Sequence, residues 1–279
     1  MTDFSPPTGK SVLLFSGGMD SVCHAWLLRP DRLLTLRVHS DYEQRERRAM
    51  RKALATFAKA GDYRPEHIVL DRVLNLGDYR KGPFIYPMRN AFLIEFAAYY
   101  GETIYLAGVE GDSPADKTPQ FLTKMQDLLT EMWQGNWTTP HYFTVTAPYR
   151  HTTKTELIGQ YLGKGGPPQA LWSSYSCYSG DDLQCGTCRN CVRKWVAFEN
   201  NALRWERGLS QHPPWEAQWV WDLWEDLLVG KYHGDREDKL ILRAFDQWWR
   251  RFHYPGHDRE LTAANDGFPD LASTFWGGQ

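Results

Sequence analysis

A short apolar run near the N-terminus, residues 11–15, stops abruptly at Ser-Gly-Gly-Met-Asp-Ser, and no other junction limits the possible folds as strongly. Apolar residues at helical spacing follow, so the segment predicts a buried strand, a tight glycine turn and a helix. Glycine accepts positive φ angles and leaves backbone N–H groups open to an anion, and the start of the helix adds further donors. The junction therefore predicts an anion-binding loop after the first strand.

Candidate ligands of the anion are the residues of this turn with a hydroxyl, a carboxylate or an open backbone: Ser16, Gly17, Gly18, Asp20 and Ser21. Asp20 is also placed to hold Mg²⁺ or to cap the helix. The turn lacks the Gly-Lys-Ser/Thr of a Walker A loop. An ordinary strand-to-helix turn with an Asp or Ser cap is the alternative interpretation.

Strand-like and helix-like segments alternate after the turn. Apolar runs predict further strands, at residues 33–39, 67–70, 103–107 and 143–147. Helical patterns lie between them, and this alternation predicts an α/β fold with a doubly wound parallel sheet.

Composition changes late in the chain, because eight of the 13 Trp residues follow residue 200. Helical patterns at 215–228 and 235–252 carry most of them. We expect three parts: an α/β domain at 1–171, a four-cysteine knot at 172–200 and a Trp-rich helical extension at 201–279. The group Trp215, Trp219, Trp221 and Trp224 indicates a core or subunit interface, with base stacking as the alternative.

Four of the five cysteines fall in the spacing Cys-x7-Cys-x2-Cys-x2-Cys, at Cys177, Cys185, Cys188 and Cys191. Thiolates are soft ligands, and four of them close a tetrahedral Zn²⁺ shell without a position for water, so we expect a structural zinc. An iron–sulfur cluster is the alternative. Cys23 lies in the predicted first helix, where packing explains it.

The overall charge and hydropathy exclude several classes of protein. The net charge of −2 argues against electrostatic binding of nucleic acid by the whole protein. Hydrophobic residues make up 42% of the chain, which excludes a disordered protein, and no apolar stretch is long enough to cross a membrane. The first residues do not resemble a signal peptide. We therefore expect a soluble, cytoplasmic protein.

Five motifs occur in order: SGGMDS, SDYEQRERR, YPMRN, GVEGDS and CYSG-x4-CGTCRNC. The first resembles the pyrophosphate loop of the PP-loop ATP pyrophosphatase superfamily. Together, over about residues 10–200, they resemble the 7-cyano-7-deazaguanine synthases, the QueC family, whose pattern is SGGxDS, DYGQRH, VPxRN, a Gly-Val…Asp loop and CYxG…CGxCxxC.

The resemblance implies a PP-loop, adenine nucleotide alpha hydrolase-like fold in residues 1–171. It implies conversion of the carboxylate of 7-carboxy-7-deazaguanine, activated by ATP, with ammonia to the nitrile preQ0. The implied cofactors are ATP, Mg²⁺ and one structural Zn²⁺. The implied partners are the small-molecule deazaguanine substrate and a second copy in a homodimer, with no membrane and no nucleic acid as direct substrate.

Residue roles follow from the same resemblance. The catalytic candidates are Asp20, Arg89 and Lys154, and the substrate-binding candidates are Tyr42, Gln44, Arg45, Asn90 and Asp116. Asp41 and Lys117 belong to the same matched segments. Plainer interpretations exist for several: a solvated charged helix for 43–51, a helix cap for Asn90 and a surface lysine for Lys154. Arg193 is either an active-site residue or a surface residue of the knot.

Departures from the family pattern leave the acceptor of the activated carboxylate open. Glu43 and Glu46 replace the Gly and the His of DYGQRH, and the extension has no counterpart in compact synthases. An alternative is therefore a QueC-like ligase that joins the carboxylate to an amine of a protein or other macromolecule, in a phage or defence system, with the extension as the partner-binding surface. A tRNA thiolation enzyme is a further alternative, which the net charge of −2 disfavours. A non-catalytic zinc-knot module is another, which the intact SGGMDS motif disfavours.

Overall fold

The computed structural model describes residues 8–38, 42–61, 63–71, 75–76, 79, 86–112, 115–134, 141–179, 181–206, 208–229 and 236–253. The chain divides into two compact units, residues 1–184 and 185–279. The three-part division expected from the sequence stays a prediction. No helix among these residues is both long enough and apolar enough to cross a membrane.

Within the first unit, five strands form one sheet: β1 (Ser11–Leu14), β2 (Arg32–Leu36), β3 (Glu66–Leu70), β4 (Thr103–Tyr105) and β5 (Thr144–Thr146). All neighbours pair in parallel, in the order β3-β2-β1-β4-β5. The predicted α/β fold with a doubly wound parallel sheet is confirmed. The chain winds outward from β1 to β3 and then returns to the other side at β4, so the switch point lies between β1 and β4, where open α/β sheets bind ligands.

In the described part of this unit, six α-helices accompany the sheet: α1 (Met19–Leu28), α2 (Glu43–Ala60), α3 (Arg89–Ala97), α4 (Pro119–Gln134), α5 (Lys154–Gly163) and α6 (Pro168–Ser173). A short 3-10 helix, Ala115–Lys117, precedes α4. On α2 the buried residues Ala49, Met50, Ala53 and Phe57 recur at helical spacing. The charged residues between them face solvent, which explains why so polar a sequence is helical.

The central strand is buried on both faces. Val12 and Leu13 are adjacent, so their side chains point to opposite sides of the sheet, and both are fully buried. Val12 belongs to a core cluster with Ile94 of α3 and Leu129 of α4. A strand buried on both faces reads as a continuous apolar run rather than an alternating one, which is why SVLLF was recognisable.

The second unit contains α7 (Arg189–Glu199), a 3-10 turn at Pro214–Glu216, α8 (Gln218–Leu228) and α9 (Arg236–His253). Helices α8 and α9 were predicted, whereas α7 was not. The aromatic side chains of this unit pack on one another around Trp195, which is fully buried. Trp215 and Phe245 lie 5.9 Å and 5.1 Å from it, between ring centroids.

Several described tryptophans of the extension pack, partly buried, against the core of the second unit. Trp215 and Trp221 both pack against the cluster around Trp195, as the core interpretation predicted. Trp219 is 38% exposed, and its indole N–H donates to the Thr187 carbonyl oxygen at 2.8 Å. The side chain of Trp224 lies outside the described residues.

Candidate functional site

The glycine loop follows β1 and is shaped by close packing against α2. Gly17 has a φ of +74°, and a Cβ atom built on it would lie 2.7 Å from Met50 Cγ and 2.9 Å from the Met50 backbone nitrogen. Gly18 is the N-cap residue of α1 and has extended backbone angles. Both the positive φ and the contact with α2 therefore require glycine at position 17.

Serine hydroxyls fix the shape of the loop. The Gly18 N–H donates to Ser16 Oγ at 3.3 Å, and the Ser21 hydroxyl donates to the Gly18 carbonyl oxygen at 2.9 Å. The two serine hydroxyl oxygens lie 3.4 Å apart. The four residues Ser16, Gly17, Gly18 and Ser21 thus share one turn at the N-terminus of α1, where N–H groups and the helix dipole favour an anion.

A segment after α6 supports this loop from outside, and no motif had pointed to it. The Tyr175 N–H donates to the Gly17 carbonyl oxygen at 3.1 Å, and the Met19 N–H donates to Ser176 Oγ at 3.2 Å. Both supporting residues directly precede Cys177. That adjacency to the first cysteine was the only signal that could have identified them.

Asp20 and Lys154 form an ion pair beside the loop. Lys154 is the first residue of α5, which begins with a capping box formed by Thr153 and Glu156. Its side chain is only 11% exposed, so the surface-lysine interpretation is excluded. The Oδ1 atom of Asp20 is buried and has no hydrogen-bond partner within the part of the chain that the structure describes. A carboxylate oxygen in that state suits a cation or a hydrogen-bond donor of a ligand.

His24 lies one helical turn behind Asp20 and is fully buried. Its Nδ1 atom lies 2.7 Å from the Asp20 carbonyl oxygen, which can only accept, so the neutral ring carries its proton on Nδ1. Burial lowers the pKa of His24 to about 4, and the charges of Lys154 and Lys117 act in the same direction. The two lysines, one after β5 and one after β4, thus act on the same imidazole at the carboxyl edge of the sheet.

Residues after β4 and at the start of α3 form a second polar group. Asn90 is buried, and its amide donates to the Asp116 carbonyl oxygen at 3.4 Å. The N-cap of α3 is Met88, so Asn90 is not the helix cap considered from the sequence. Among the described residues, the buried Oδ1 atom of Asp116 has no hydrogen-bond partner. Lys117 is paired with Asp112 at 2.7 Å.

A third group joins α2 to the start of α3. Tyr42 is the N-cap residue of α2, and burial raises the pKa of its hydroxyl. Burial also raises the pKa of the Glu46 carboxyl to about 8, although the positive charge of Arg89 acts in the opposite direction. The charge of Arg89 also lowers the pKa of Tyr42. Tyr42 and Arg89, two predicted site residues, therefore lie within electrostatic range of each other.

Two predicted substrate residues of α2 point elsewhere. The Arg45 guanidinium donates to the Asp181 carbonyl oxygen at 2.6 Å and pairs with the Asp182 carboxylate at 3.2 Å. Gln44 is exposed, and its side chain makes no hydrogen bond to any residue that the structure describes. Arg45 thus anchors the segment before the second cysteine, and Asp41 lies outside the described residues.

The four cysteine sulfur atoms all lie within 4.8 Å of one another, so the predicted cluster is formed. Backbone N–H groups point at the sulfur atoms: that of Ser179 donates to Cys177 Sγ and that of Cys188 to Cys185 Sγ, each at 3.3 Å. Such bonds stabilise thiolates, which are the form that binds metal. Four soft donors at this separation fit a tetrahedral ion such as zinc.

Gly186 and Arg193 show how the second unit surrounds its three cysteines. Gly186 has a φ of +87°, and a Cβ atom there would overlap the His212 carbonyl oxygen. Arg193 is buried and forms an ion pair with Glu237 of α9. It is therefore not the surface residue of the knot that the sequence allowed, and its charge is used within the second unit.

Comparison with known proteins connects these features. Residues 80–202 match the family model described as "Queuosine biosynthesis protein QueC". The chain is 28% identical over 216 residues to a 7-cyano-7-deazaguanine synthase of Brucella anthropi, covering 68% of this chain and 88% of that protein. It is 27% identical over 221 residues to the enzyme of that name from Nostoc punctiforme, covering 70% and 96%. The resemblance to the QueC family is confirmed.

The matches span 88% of the Brucella protein and 96% of the Nostoc protein. About 30% of this chain has no counterpart in the Nostoc protein, since the match covers 70% of it. A 7-cyano-7-deazaguanine synthase 2 of Desulfitobacterium hafniense gives the same picture, with 27% identity over 70% of this chain and 91% of that protein. No solved structure gives a significant match.

The QueC match and the geometry overlap in the middle of the chain. The matched range begins before Arg89 and Asn90 and ends after Cys191, so it includes Asp116, Lys154 and all four cysteines. The SGGMDS loop precedes that range and stands on its own geometry. Glu43 and Glu46, which depart from the QueC pattern, also precede the matched range.

Proposed function

We propose that the protein is an enzyme of the ATP pyrophosphatase type that converts 7-carboxy-7-deazaguanine and ammonia to 7-cyano-7-deazaguanine. The observation that carries this proposal is the Asp20–Lys154 pair beside a glycine loop at the end of β1, with the Asp20 Oδ1 atom left for a ligand. The names of the relatives support the substrate.

The phosphates of ATP would bind at the start of α1. Ser16, Gly17, Gly18 and Ser21 would present N–H and hydroxyl groups to the pyrophosphate portion, and Asp20 Oδ1 would hold Mg²⁺. Magnesium, when bound, neutralises phosphate charge. Asp20 Oδ2 orients the Lys154 ammonium toward the same region, so Lys154 stabilises the pyrophosphate as it leaves the α-phosphorus.

The substrate carboxylate would attack the α-phosphorus, forming a bond from its oxygen to phosphorus while the bond to pyrophosphate breaks. Arg89 supplies a positive charge at the start of α3 and would orient that carboxylate. Asn90 and Asp116 are neighbours in the structure, and the free Asp116 oxygen would accept a hydrogen bond from the deazaguanine ring. Tyr42 would pack against the ring, while Gln44 and Arg45 receive the least support from the geometry.

The four cysteines would hold one structural Zn²⁺. Its effect on the reaction is indirect, because Tyr175 and Ser176 precede Cys177 and both donate to or accept from the glycine loop. A zinc ion that holds Cys177 in place would therefore also hold the two hydrogen bonds that Tyr175 and Ser176 form with the phosphate-binding loop. We also propose that the protein forms a homodimer and that residues 201–279 can bind a protein partner. The names of the relatives favour ammonia over a macromolecular amine as acceptor.

The test is incubation of the purified full-length protein with MgATP, 7-carboxy-7-deazaguanine and ammonium, followed by mass spectrometry. We expect the nitrile together with AMP and pyrophosphate. AMP without the nitrile would retain the activation and remove ammonia as the acceptor. Absence of AMP, with zinc present and the fold intact by circular dichroism, would overturn the proposal.

A further inference from the structure

Glu46 has a position in the site that none of the predicted roles uses. It lies on α2 one turn after Tyr42, and its backbone N–H donates to the Tyr42 carbonyl oxygen at 3.1 Å. Its own carbonyl oxygen would lie 3.1 Å from a Cβ atom built on Gly17. The backbone of Glu46 is thus in contact with the glycine loop, so its side chain starts beside the place where ATP would bind.

The surroundings of the Glu46 carboxyl raise its pKa into the range in which it exchanges protons near neutral pH. Burial disfavours the carboxylate, and the negative charge of Glu43 on the same helix acts in the same direction. Arg89 of α3 favours the carboxylate but does not outweigh burial, so the pKa lies at about 8. Tyr42, one turn earlier on the same helix, is the phenol within electrostatic range of Glu46, and the charge of Glu46 raises the pKa of Tyr42.

The Glu46 carboxyl also forms no hydrogen bond with the residues that the structure describes. Within the described residues, no donor bonds to it, and the side chain is half-buried rather than enclosed. A carboxyl that served only to anchor α3 would be expected to form a close pair with Arg89. An unpaired, partly accessible carboxyl beside a loop that packs on its own backbone is instead available to a ligand.

Other ionisable groups of the site do not suit proton transfer at neutral pH. The Asp20 carboxylate is engaged by Lys154, and Lys117 is engaged by Asp112. His24 has a pKa of about 4 and uses Nδ1 for the Asp20 carbonyl. A catalytic acid or base works best when its pKa lies near the operating pH, and Glu46 meets that condition.

We propose that Glu46 is the catalytic proton acceptor for the nitrogen steps of the reaction. This inference rests on the proposed function. When ammonia attacks the acyl adenylate, a C–N bond forms, the C–O bond to AMP breaks with its electron pair leaving on AMP, and the nitrogen gives a proton to the Glu46 carboxylate. After a second ATP adenylates the amide oxygen, the nitrogen loses its two protons in turn. The electron pair of the last N–H bond completes the nitrile while AMP leaves, and Glu46 passes each proton to water.

The position of Glu46 in the chain supports a proton-transfer role. It occupies the place of the His in the DYGQRH pattern, and an imidazole has an ordinary pKa of about 6.5. The Glu46 carboxyl with its raised pKa and an imidazole can therefore both exchange protons near neutrality. Substitution of Glu46 by His is the conservative change, and substitution by Gln removes proton transfer while it keeps shape.

The experiment compares two reactions of the full-length wild type, E46Q, E46H and the matched control E43Q. The first is ATP–pyrophosphate exchange driven by 7-carboxy-7-deazaguanine, which requires no transfer of a nitrogen proton. The second is nitrile formation with ammonium. In E46Q we expect nitrile formation to fall by about 10²-fold or more, while exchange stays within about threefold of the wild type.

The pH profiles separate proton transfer from a purely structural effect. In the wild type, the rate of nitrile formation should rise with pH through a limb near pH 8. E46Q should lack this limb, and E46H should show one at a lower pH. E43Q should retain the rate and shift the limb to lower pH, because a repelling charge is removed from Glu46. If E46Q forms nitrile at the wild-type rate with the limb unchanged, or if E46Q and E46H both lose exchange as well, the inference is overturned. Absence of exchange in the wild type would overturn the proposed function itself.

Discussion

The two units treat their buried charges differently. In the unit of residues 1–184, carboxylate oxygens of Asp20 and Asp116 are buried without hydrogen-bond partners among the described residues. In the described part of the unit of residues 185–279, buried charges are paired, and examples are Arg193 with Glu237 and Glu199 with Arg251. A buried polar atom without a partner costs about 1–3 kcal/mol, so such atoms persist where a ligand satisfies them. Unpaired buried carboxylate oxygens, which the described part of the second unit lacks, indicate that the first unit binds a ligand.

Metal removal should produce the largest effect, because a structural zinc ion contributes its binding free energy directly to folding. Cys188→Ser should reduce bound zinc from one ion per chain to nearly none, measured by mass spectrometry of the metal. Since structural zinc contributes on the order of 10 kcal/mol, thermal unfolding of the second unit should lose its cooperative transition. Cys23→Ala is the control, because Cys23 is buried in α1 and is not one of the clustered cysteines. Retention of zinc in C188S would contradict the four-thiolate site.

Removal of the Lys154 charge should affect the first unit in the opposite manner, with little unfolding and a large loss of activity. Lys154→Met should lower the rate of ATP–pyrophosphate exchange by about 10²–10³-fold, the range for loss of one positioned electrostatic group. The matched control is Lys164→Met, because Lys164 is exposed at the end of the same helix. An equal loss of exchange in both variants would refute the role of the Asp20 pair.

The glycine loop offers a stability test of the same unit. Gly17→Ala should lower the free energy of unfolding by at least about 3 kcal/mol, because it combines a positive φ with overlap on the backbone of α2. Gly163→Ala, at the end of α5 with nothing within 4 Å of a new Cβ atom, should be neutral or slightly stabilising. Urea unfolding of both variants measures the difference. A G17A protein as stable as G163A would show that the packing against Met50 is loose.

Acid should weaken the first unit through His24. Burial disfavours the imidazolium, so the folded protein binds no proton at His24 until about pH 4, whereas the unfolded chain binds one below about pH 6.5. Stability is therefore lost as the pH falls from about 6.5 to 4, by at most about 3 kcal/mol. The urea midpoint of the wild type, measured relative to that of His24→Leu, should fall over that interval, because only the wild type contains the imidazole. A constant difference would contradict a neutral His24.

The smallest effect is expected at the surface pair formed by Arg48 and Asp182. A hydrogen bond from Arg48, with the charges of Arg45 and Arg48, lowers the pKa of Asp182. That carboxylate is exposed, so solvent screens the interaction. Arg48→Ala should leave the melting temperature unchanged within scatter. A clear decrease, abolished by salt, would show that the segment before the second cysteine depends on this pair.

The fold was predictable where burial leaves a helical spacing of apolar residues or a continuous apolar run in the sequence. Strand β1 is buried on both faces, and α2 buries the residues along one of its faces. Both could therefore be identified from the sequence alone. Helix α7 was not predicted, because its residues were assigned to the four-cysteine knot at 172–200. The predicted strand at 33–39 ends at Leu36, where β3 also ends its pairing with β2.

The candidate site was predictable where one short segment contains all of it. The loop at 16–21 and the cysteine spacing are of that kind, since their geometry is local. Contacts between distant segments, such as Tyr175 and Ser176 with the loop or Lys154 with Asp20, depend on the sheet order and were accessible only in part. Glu46 was visible as a departure from the family pattern, but its environment depends on Arg89, 43 residues later in the chain.

The backbone contacts around Gly186 have a consequence for how the protein is synthesised. The His212 N–H donates to the Cys185 carbonyl oxygen at 3.2 Å, and the Trp219 indole donates to the Thr187 carbonyl oxygen at 2.8 Å. When a nascent chain has just emerged as far as Cys191, all four thiols are outside the ribosome while both of these donors are still inside it. The turn between Cys185 and Cys188 then lacks both of these hydrogen bonds. They can form only after about thirty further residues have emerged, so the turn is completed after its last thiol has appeared.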